Sequence, residues 1–140
     1  MRMKMIDRTE AIQLMKTEYA RLDGITGADT RAIALRVSDR MTSRFGCFSV
    51  KKRSAFAKPE LSIAVSARCL LDDAVFYDVI RHEYAHAVLY LRDPRHNHGH
   101  DASWKALCRQ IGCAPKASRP ETVLTASALT KEQLRRRRIQ

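Results

Sequence analysis

Apolar positions in this chain recur with two periods, and the switches between them lay out the expected elements. From about Asp7 to Leu22, Ile12, Met15, Tyr19 and Leu22 return at helical spacing, Asp7 and Glu10 resemble a capping pair, and Gly24 offers a stop. After a glycine-containing turn the period falls to two. Ile33, Leu35 and Val37 alternate with Ala34, Arg36 and Ser38, the pattern of a half-buried strand. A second strand, about Phe45 to Lys51, carries Phe48 and Val50 and begins beside Gly46. The basic stretch from Lys51-Lys52-Arg53 to Lys58-Pro59 reads as an exposed hairpin connection, and Leu61, Ile63 and Val65 then mark a third strand with those three side chains on one side. Short strands on short connections predict a small, mainly antiparallel sheet.

Helical spacing then returns. Asp72 or Asp73 can cap a helix running to about Leu91, and Val75, Phe76, Val79, His86 and Leu89 lie broadly along one stripe, which directs the histidine face inward. The segment from Arg92 to His100, with Pro94, Asn97 and Gly99, is loop by composition. Asp101 caps a last helix, Ala102 to Ile111, whose apolar face is Trp104, Leu107, Cys108 and Ile111 and whose stop is Gly112, with Pro115 beyond it. From residue 116 onward the chain turns small and polar, then ends in Arg135-Arg136-Arg137-Arg138. The expected organisation is one domain over residues 1–115 and a linker with a basic tail over 116–140. The fold class is α+β, a three-stranded sheet packed on helices.

Chemistry concentrates in Arg81-His82-Glu83-Tyr84-Ala85-His86, an H-E-x-x-H motif on the long helix. Residues four apart lie almost above one another, so His82 and His86 share a face and can hold one Zn²⁺. Glu83 then stands beside the ion as general base for a water. A catalytic zinc usually takes three protein ligands. His96, His98 and His100, with Asp93 and Asp101 as carboxylate alternatives, all lie in the following loop, and spacing alone does not choose among them. Chance occurrence on an ordinary core helix is the competing reading of the motif. A pair of inward histidines needs polar partners or a metal to offset desolvation, which favours ligation. A two-metal nuclease is disfavoured because such sites are rich in carboxylates and this one is built on histidine.

Composition adds three constraints. With 140 residues, 45% of them apolar, the chain suits a single core and holds no run long enough for a membrane helix. The early charges at Arg2 and Lys4 leave no signal-peptide core, so a soluble cytoplasmic protein, with association with the nucleoid also open, is expected. Cys47, Cys69, Cys108 and Cys113 form no C-x-x-C pair, which removes a zinc ribbon and leaves four ordinary thiols. A net charge of +11 makes DNA or a DNA-bound protein a candidate partner, with plain solubility as the rival account. Arg135 to Arg138 can contact phosphate or simply be a solvated tail. A monomer is expected.

The order of sheet, H-E-x-x-H helix, loop and Gly99-His100-Asp101-Ala102-Ser103-Trp104 resembles the SprT-like zinc metalloprotease family, which includes the Spartan proteases. The resemblance covers about Arg31 to Gly112. It implies a zincin-like minimal core, zinc endopeptidase activity, His100 as the third ligand, and Trp104 as the aromatic packed beneath it. Two departures stand out: Asp101 replaces the family's glycine and brings a carboxylate near the metal, and the C-terminal ribbon of many bacterial members is missing. The implied chemistry is peptide hydrolysis with Glu83 moving the proton, on a protein or peptide substrate lying along the edge of the strand Leu61 to Val65. Tyr90 and the arginines are candidate oxyanion donors. The alternative is a nucleic-acid-binding or adaptor protein that keeps the zinc-stabilised fold with little or no proteolysis.

Overall fold

A computed structural model describes residues 7–95 and 99–114. The expected linker and tail, including Arg135 to Arg138, and the loop histidines His96 and His98 lie outside those residues.

Helix α1 spans Arg8–Thr26 and is capped by Asp7, whose carboxylate accepts from the Glu10 backbone N–H at 2.7 Å. It passes through Gly24 and stops one turn later than the sequence suggests, at Gly27. There φ is +77°, a left-handed conformation that only glycine adopts cheaply, and the Gly27 N–H closes the last turn on the Asp23 carbonyl. A single glycine inside a helix costs only about 1 kcal/mol, which tertiary contacts of Leu22 and Thr26 on either side readily override.

Strands β1 (Ala34–Ser38), β2 (Gly46–Lys51) and β3 (Glu60–Ser66) form one sheet in the order β1-β3-β2. β2 and β3 are the expected antiparallel hairpin, with Phe48 opposite Ile63 and Gly46 opposite Val65. β1, however, pairs with β3 in parallel, so the sheet is mixed rather than mainly antiparallel. The reason lies in β3, where Ile63, Ala64 and Val65 are all buried, on both faces of the strand. So apolar a strand is best placed centrally, and the β1–β2 connection crosses over its end instead of forming a second hairpin. This overturns one functional expectation. Both edges of β3 are occupied, so it has none to offer a substrate; among the described residues, the outer edges belong to β1 and β2.

A 3-10 helix, Ala67–Leu71, follows β3 directly and was not foreseen. Helix α2 (Asp73–Arg92) is capped by Asp72, which accepts from the N–H groups of Ala74 and Val75. Helix α3 (Ala102–Ile111) starts at Asp101 and stops at Gly112 (φ +81°), with Trp104, Leu107, Cys108 and Ile111 buried as expected. α2 is the hub of the fold and packs against β2, β3, the 3-10 helix and α3.

Candidate metal centre

Being the hub has a consequence for α2. Val75, Phe76, Val79, Ile80, Glu83, Tyr84, Ala85, Ala87, Val88 and Leu89 are all buried, which leaves almost no solvent face. His82 and His86 are only half-buried and border a cleft instead of pointing into the core, contrary to the inward direction read from the apolar stripe. A helix buried all round carries no amphipathic signal to tell a cleft side from a core side.

The loop leading into α3 brings His100 to the same place. His100 Nε2 stands 3.1 Å from His82 Nε2 and 3.2 Å from His86 Nε2. Two nitrogens bound tetrahedrally at about 2.0–2.1 Å would stand about 3.3 Å apart, so the three imidazoles converge at the spacing of a shared ion. Their donor atoms form a group able to hold a metal. The donor set fits zinc and equally other imidazole-loving divalent ions. Among the described residues, His100 is the loop histidine that joins the pair, and Asp101 is not part of the group. Its Oδ1 accepts from the Trp104 N–H at 2.9 Å, which is the N-cap of α3. One residue therefore starts the helix while its neighbour, His100, turns back to the cluster.

Trp104 is the floor of the cluster. Its ring lies 4.7 Å from that of His82, 5.5 Å from His86 (stacked, 22°) and 4.6 Å from His100, and it is fully buried. A wide rigid ring under three imidazoles restricts how far each can rotate away, which preorganises the donors. Its Nε1 has no hydrogen-bond partner among the described residues, a cost of about 1–3 kcal/mol accepted for that placement.

Glu83 follows His82 on the helix, and its Oε2 lies 3.9 Å from His82 Nε2. It is 8% exposed, closed in by the core on one side and opening onto a cleft of about 420 Å³ on the other. α2 contributes His82, Glu83, His86 and Tyr90 to that cleft, and His100 closes it from the α3 side. The opposite wall is β2 with its approach, namely Arg44, Gly46, Cys47, Phe48 and Val50. Tyr90, four residues beyond His86, continues the His82–His86 stripe, and its ring packs against Phe48 at 5.8 Å. Of the cationic candidates for an oxyanion donor, Arg44 lines the cleft. Arg81 is turned away, held by Glu18 Oε2 at 2.6 Å and the Gly112 carbonyl at 3.3 Å. Cys69, Cys108 and Cys113 are buried thiols, whereas Cys47 is half-buried on the cleft wall.

The β2 wall is what the sequence reading missed. One signal was available: an isolated glycine in a strand pattern often marks a close backbone approach, and Gly46 does so against Glu83. Nothing local pointed to Arg44 or Val50, whose place depends on how the sheet lies across α2.

Among known proteins, residues 10–125 match the model of the SprT-like family. No curated protein matches the chain.

Proposed function

The chain belongs to the SprT-like family, and from that premise we propose that it is a zinc-dependent endopeptidase with Glu83 as its general base. The observation that carries this reading is the convergence of His82, His86 and His100, whose donor atoms all lie within 4.8 Å of one another, with the Glu83 carboxylate beside them on a cleft. A purely structural ion would need no carboxylate in that position, and structural sites are usually closed by a fourth protein ligand. The three histidines would hold the ion, which when bound acidifies a water toward a pKa of about 7 and polarises a scissile carbonyl.

The remaining work falls to side chains of this chain. Glu83 accepts a proton as the water oxygen bonds to the carbonyl carbon, then delivers it to the amide nitrogen as the C–N bond breaks. One water is consumed, and the carboxylate ends ionised as it began. Its burial on the core side keeps bulk water from competing for that proton. The substrate main chain would lie along the outer edge of β2, since this edge is unpaired among the described residues and runs beside the cluster. Tyr90 and Arg44 are the cleft donors available to a developing oxyanion.

The test is Glu83→Gln. Metal content measured by elemental analysis should match wild type, while cleavage of an unfolded protein substrate falls by about 10²–10⁴-fold. Equal cleavage by the two proteins would remove Glu83 from the mechanism.

A specific observation favours keeping a nucleic-acid role in view. The β2–β3 connection exposes Lys51, Lys52 and Lys58 within a few residues of Phe56, which is 100% exposed. Cations around a bare aromatic ring suit phosphates and an unstacked base. As part of the peptidase reading, this surface would recruit proteins bound to DNA. As a rival, it would be the whole function, with the zinc site only stabilising the fold. Cleavage assays with and without single-stranded DNA separate the two, because the rival requires DNA binding without any Glu83-dependent cleavage.

A further inference from the structure

We propose that Gly46 is a positioning residue for Glu83: the bare backbone at the start of β2 sets where the Glu83 carboxylate sits, and any side chain there would displace it. This inference rests on the role given to Glu83 above. A Cβ built on Gly46 would stand 2.9 Å from Glu83 Cγ, 3.1 Å from Glu83 Oε2 and 2.9 Å from Val79 Cγ1. The two 2.9 Å approaches essentially do not occur and the third is tighter than most, so the strand and the glutamate could not both stay in place. No left-handed backbone is involved, since the positive-φ glycines are Gly27 and Gly112. The requirement is therefore space beside Glu83, and it is specific to that side chain and its neighbour one turn earlier.

The strand has little freedom to retreat. Gly46 is in register with Val65 of β3, and the Phe45 carbonyl just before it accepts from the Ser66 N–H at 2.8 Å. Arg68, from the 3-10 helix, adds a clamp. Its guanidinium lies 4.6 Å from the centre of the Phe45 ring, and its Nη2 donates to the Arg44 carbonyl at 3.2 Å. Its Nε also reaches Ser66 Oγ at 3.3 Å, and that hydroxyl donates to the Met41 carbonyl at 2.8 Å. A chain of contacts thus runs from Arg68 through Phe45 to Gly46 and ends on Glu83. Val79, one turn before Glu83 on the same helix, is β-branched and stiff, so it has little freedom to turn away from a side chain at position 46. The glutamate thus lies against a strand start that is itself held in place, which is how a general base keeps one orientation between turnovers.

The experiment uses four full-length proteins: wild type, Gly46→Ala, Glu83→Ala and the double variant. With zinc loaded, Gly46→Ala should keep wild-type metal content and a KM within about twofold. Its kcat should fall by about 10–100-fold, the scale on which misplacing a catalytic group by an ångström acts. Thermal midpoints of the metal-free proteins supply the independent readout. The drop caused by Gly46→Ala should be smaller in the Glu83→Ala background, where Cγ and Oε2 are gone and only the Val79 contact remains. An unchanged kcat, or equal drops in midpoint in both backgrounds, overturns the proposal. If Gly46→Ala does not fold, Arg68→Ala takes its place: it loosens the clamp without filling the space, and kcat should fall with metal content retained. Unchanged kcat in a folded Arg68→Ala would overturn the clamp. Should wild type itself cleave nothing, the peptidase reading fails, and the midpoint comparison still decides the contact between Gly46 and Glu83.

Discussion

At the scale of single residues, the cluster depends on side chains that never touch a metal. Asp101 illustrates this. The sequence places a carboxylate next to His100, where it could act on the metal's electrostatics, and the structure gives that carboxylate a helix-capping bond to the Trp104 N–H. Asp101→Ala should therefore cost about 1 kcal/mol of stability, as loss of an N-cap does, and weaken metal binding by loosening the turn that carries His100 and Trp104. Asp101→Asn keeps the cap and removes the charge. Denaturant titration combined with zinc affinity should find the asparagine variant close to wild type in both. A large loss of zinc affinity in Asp101→Asn alone would show instead that the charge acts on the site.

At the scale of elements, α2 is held in place by polar contacts as well as by its apolar surface. Glu18 of α1 is buried and accepts from Arg21 of its own helix at 2.8 Å and from Arg81 of α2 at 2.6 Å. Arg81 also reaches the Gly112 carbonyl at the end of α3, so one side chain ties three helices together next to His82. Nearby, the Tyr19 hydroxyl donates to the Ile80 carbonyl at 2.7 Å, and the Tyr84 hydroxyl donates to Asp23 Oδ1 at 2.7 Å. Glu18→Ala leaves Arg81 without its carboxylate. Because Arg81 keeps some access to water, the cost should be about 1–3 kcal/mol, read as a lowered urea midpoint with an unchanged slope. A change below a few tenths of a kcal/mol would assign the anchoring of α2 to apolar packing alone.

Across the whole molecule these same groups set the pH range of stability. Hydrogen bonding from Arg21, reinforced by Arg81 against the opposing effect of burial, holds the Glu18 carboxyl below its ordinary value of 4.5. A depressed carboxyl stabilises the fold at pH above about 4.5, and that contribution is lost as pH falls through the lower folded-state value. Burial pushes Tyr19 well above the ordinary value of 10.0 and raises Tyr84 too, with Asp23 adding to the rise. Those phenols stabilise the fold below pH 10 and cease to do so as it rises further. Unfolding midpoints of the metal-free protein should accordingly form a plateau that declines on both sides, and the acid limb should shrink in Glu18→Ala. Metal bound through imidazoles should raise stability where those histidines are neutral and progressively less toward acid pH. Free zinc at 100 times its dissociation constant should add about 2.7 kcal/mol, and chelation should remove it, because the three histidines converge only in the folded chain.

Much of this was legible because its causes are local. The caps of α1, α2 and α3 at Asp7, Asp72 and Asp101, the stop at Gly112, the β2–β3 hairpin and the spacing of His82, Glu83 and His86 are each set within a few residues. His100 was legible only with a family pattern beside it, since nothing in its spacing distinguishes it from its loop neighbours. Other features depended on surfaces meeting from distant parts of the chain. The sheet order followed from how completely β3 could be buried, a comparison among three strands rather than a property of one. Which side of α2 faces the cleft could not be read from a helix buried nearly all round. Glu18 meets Arg81 across 63 positions of sequence, and Gly46 meets Glu83 only because β2 crosses α2 where it does. Local pattern therefore carries helices α1 to α3, strands β1 to β3 and the His82-Glu83-His86 motif, though not the 3-10 helix after β3. Which strand walls the site, and which backbone lies against Glu83, are outcomes of packing between distant segments, and local periodicity carries no record of them.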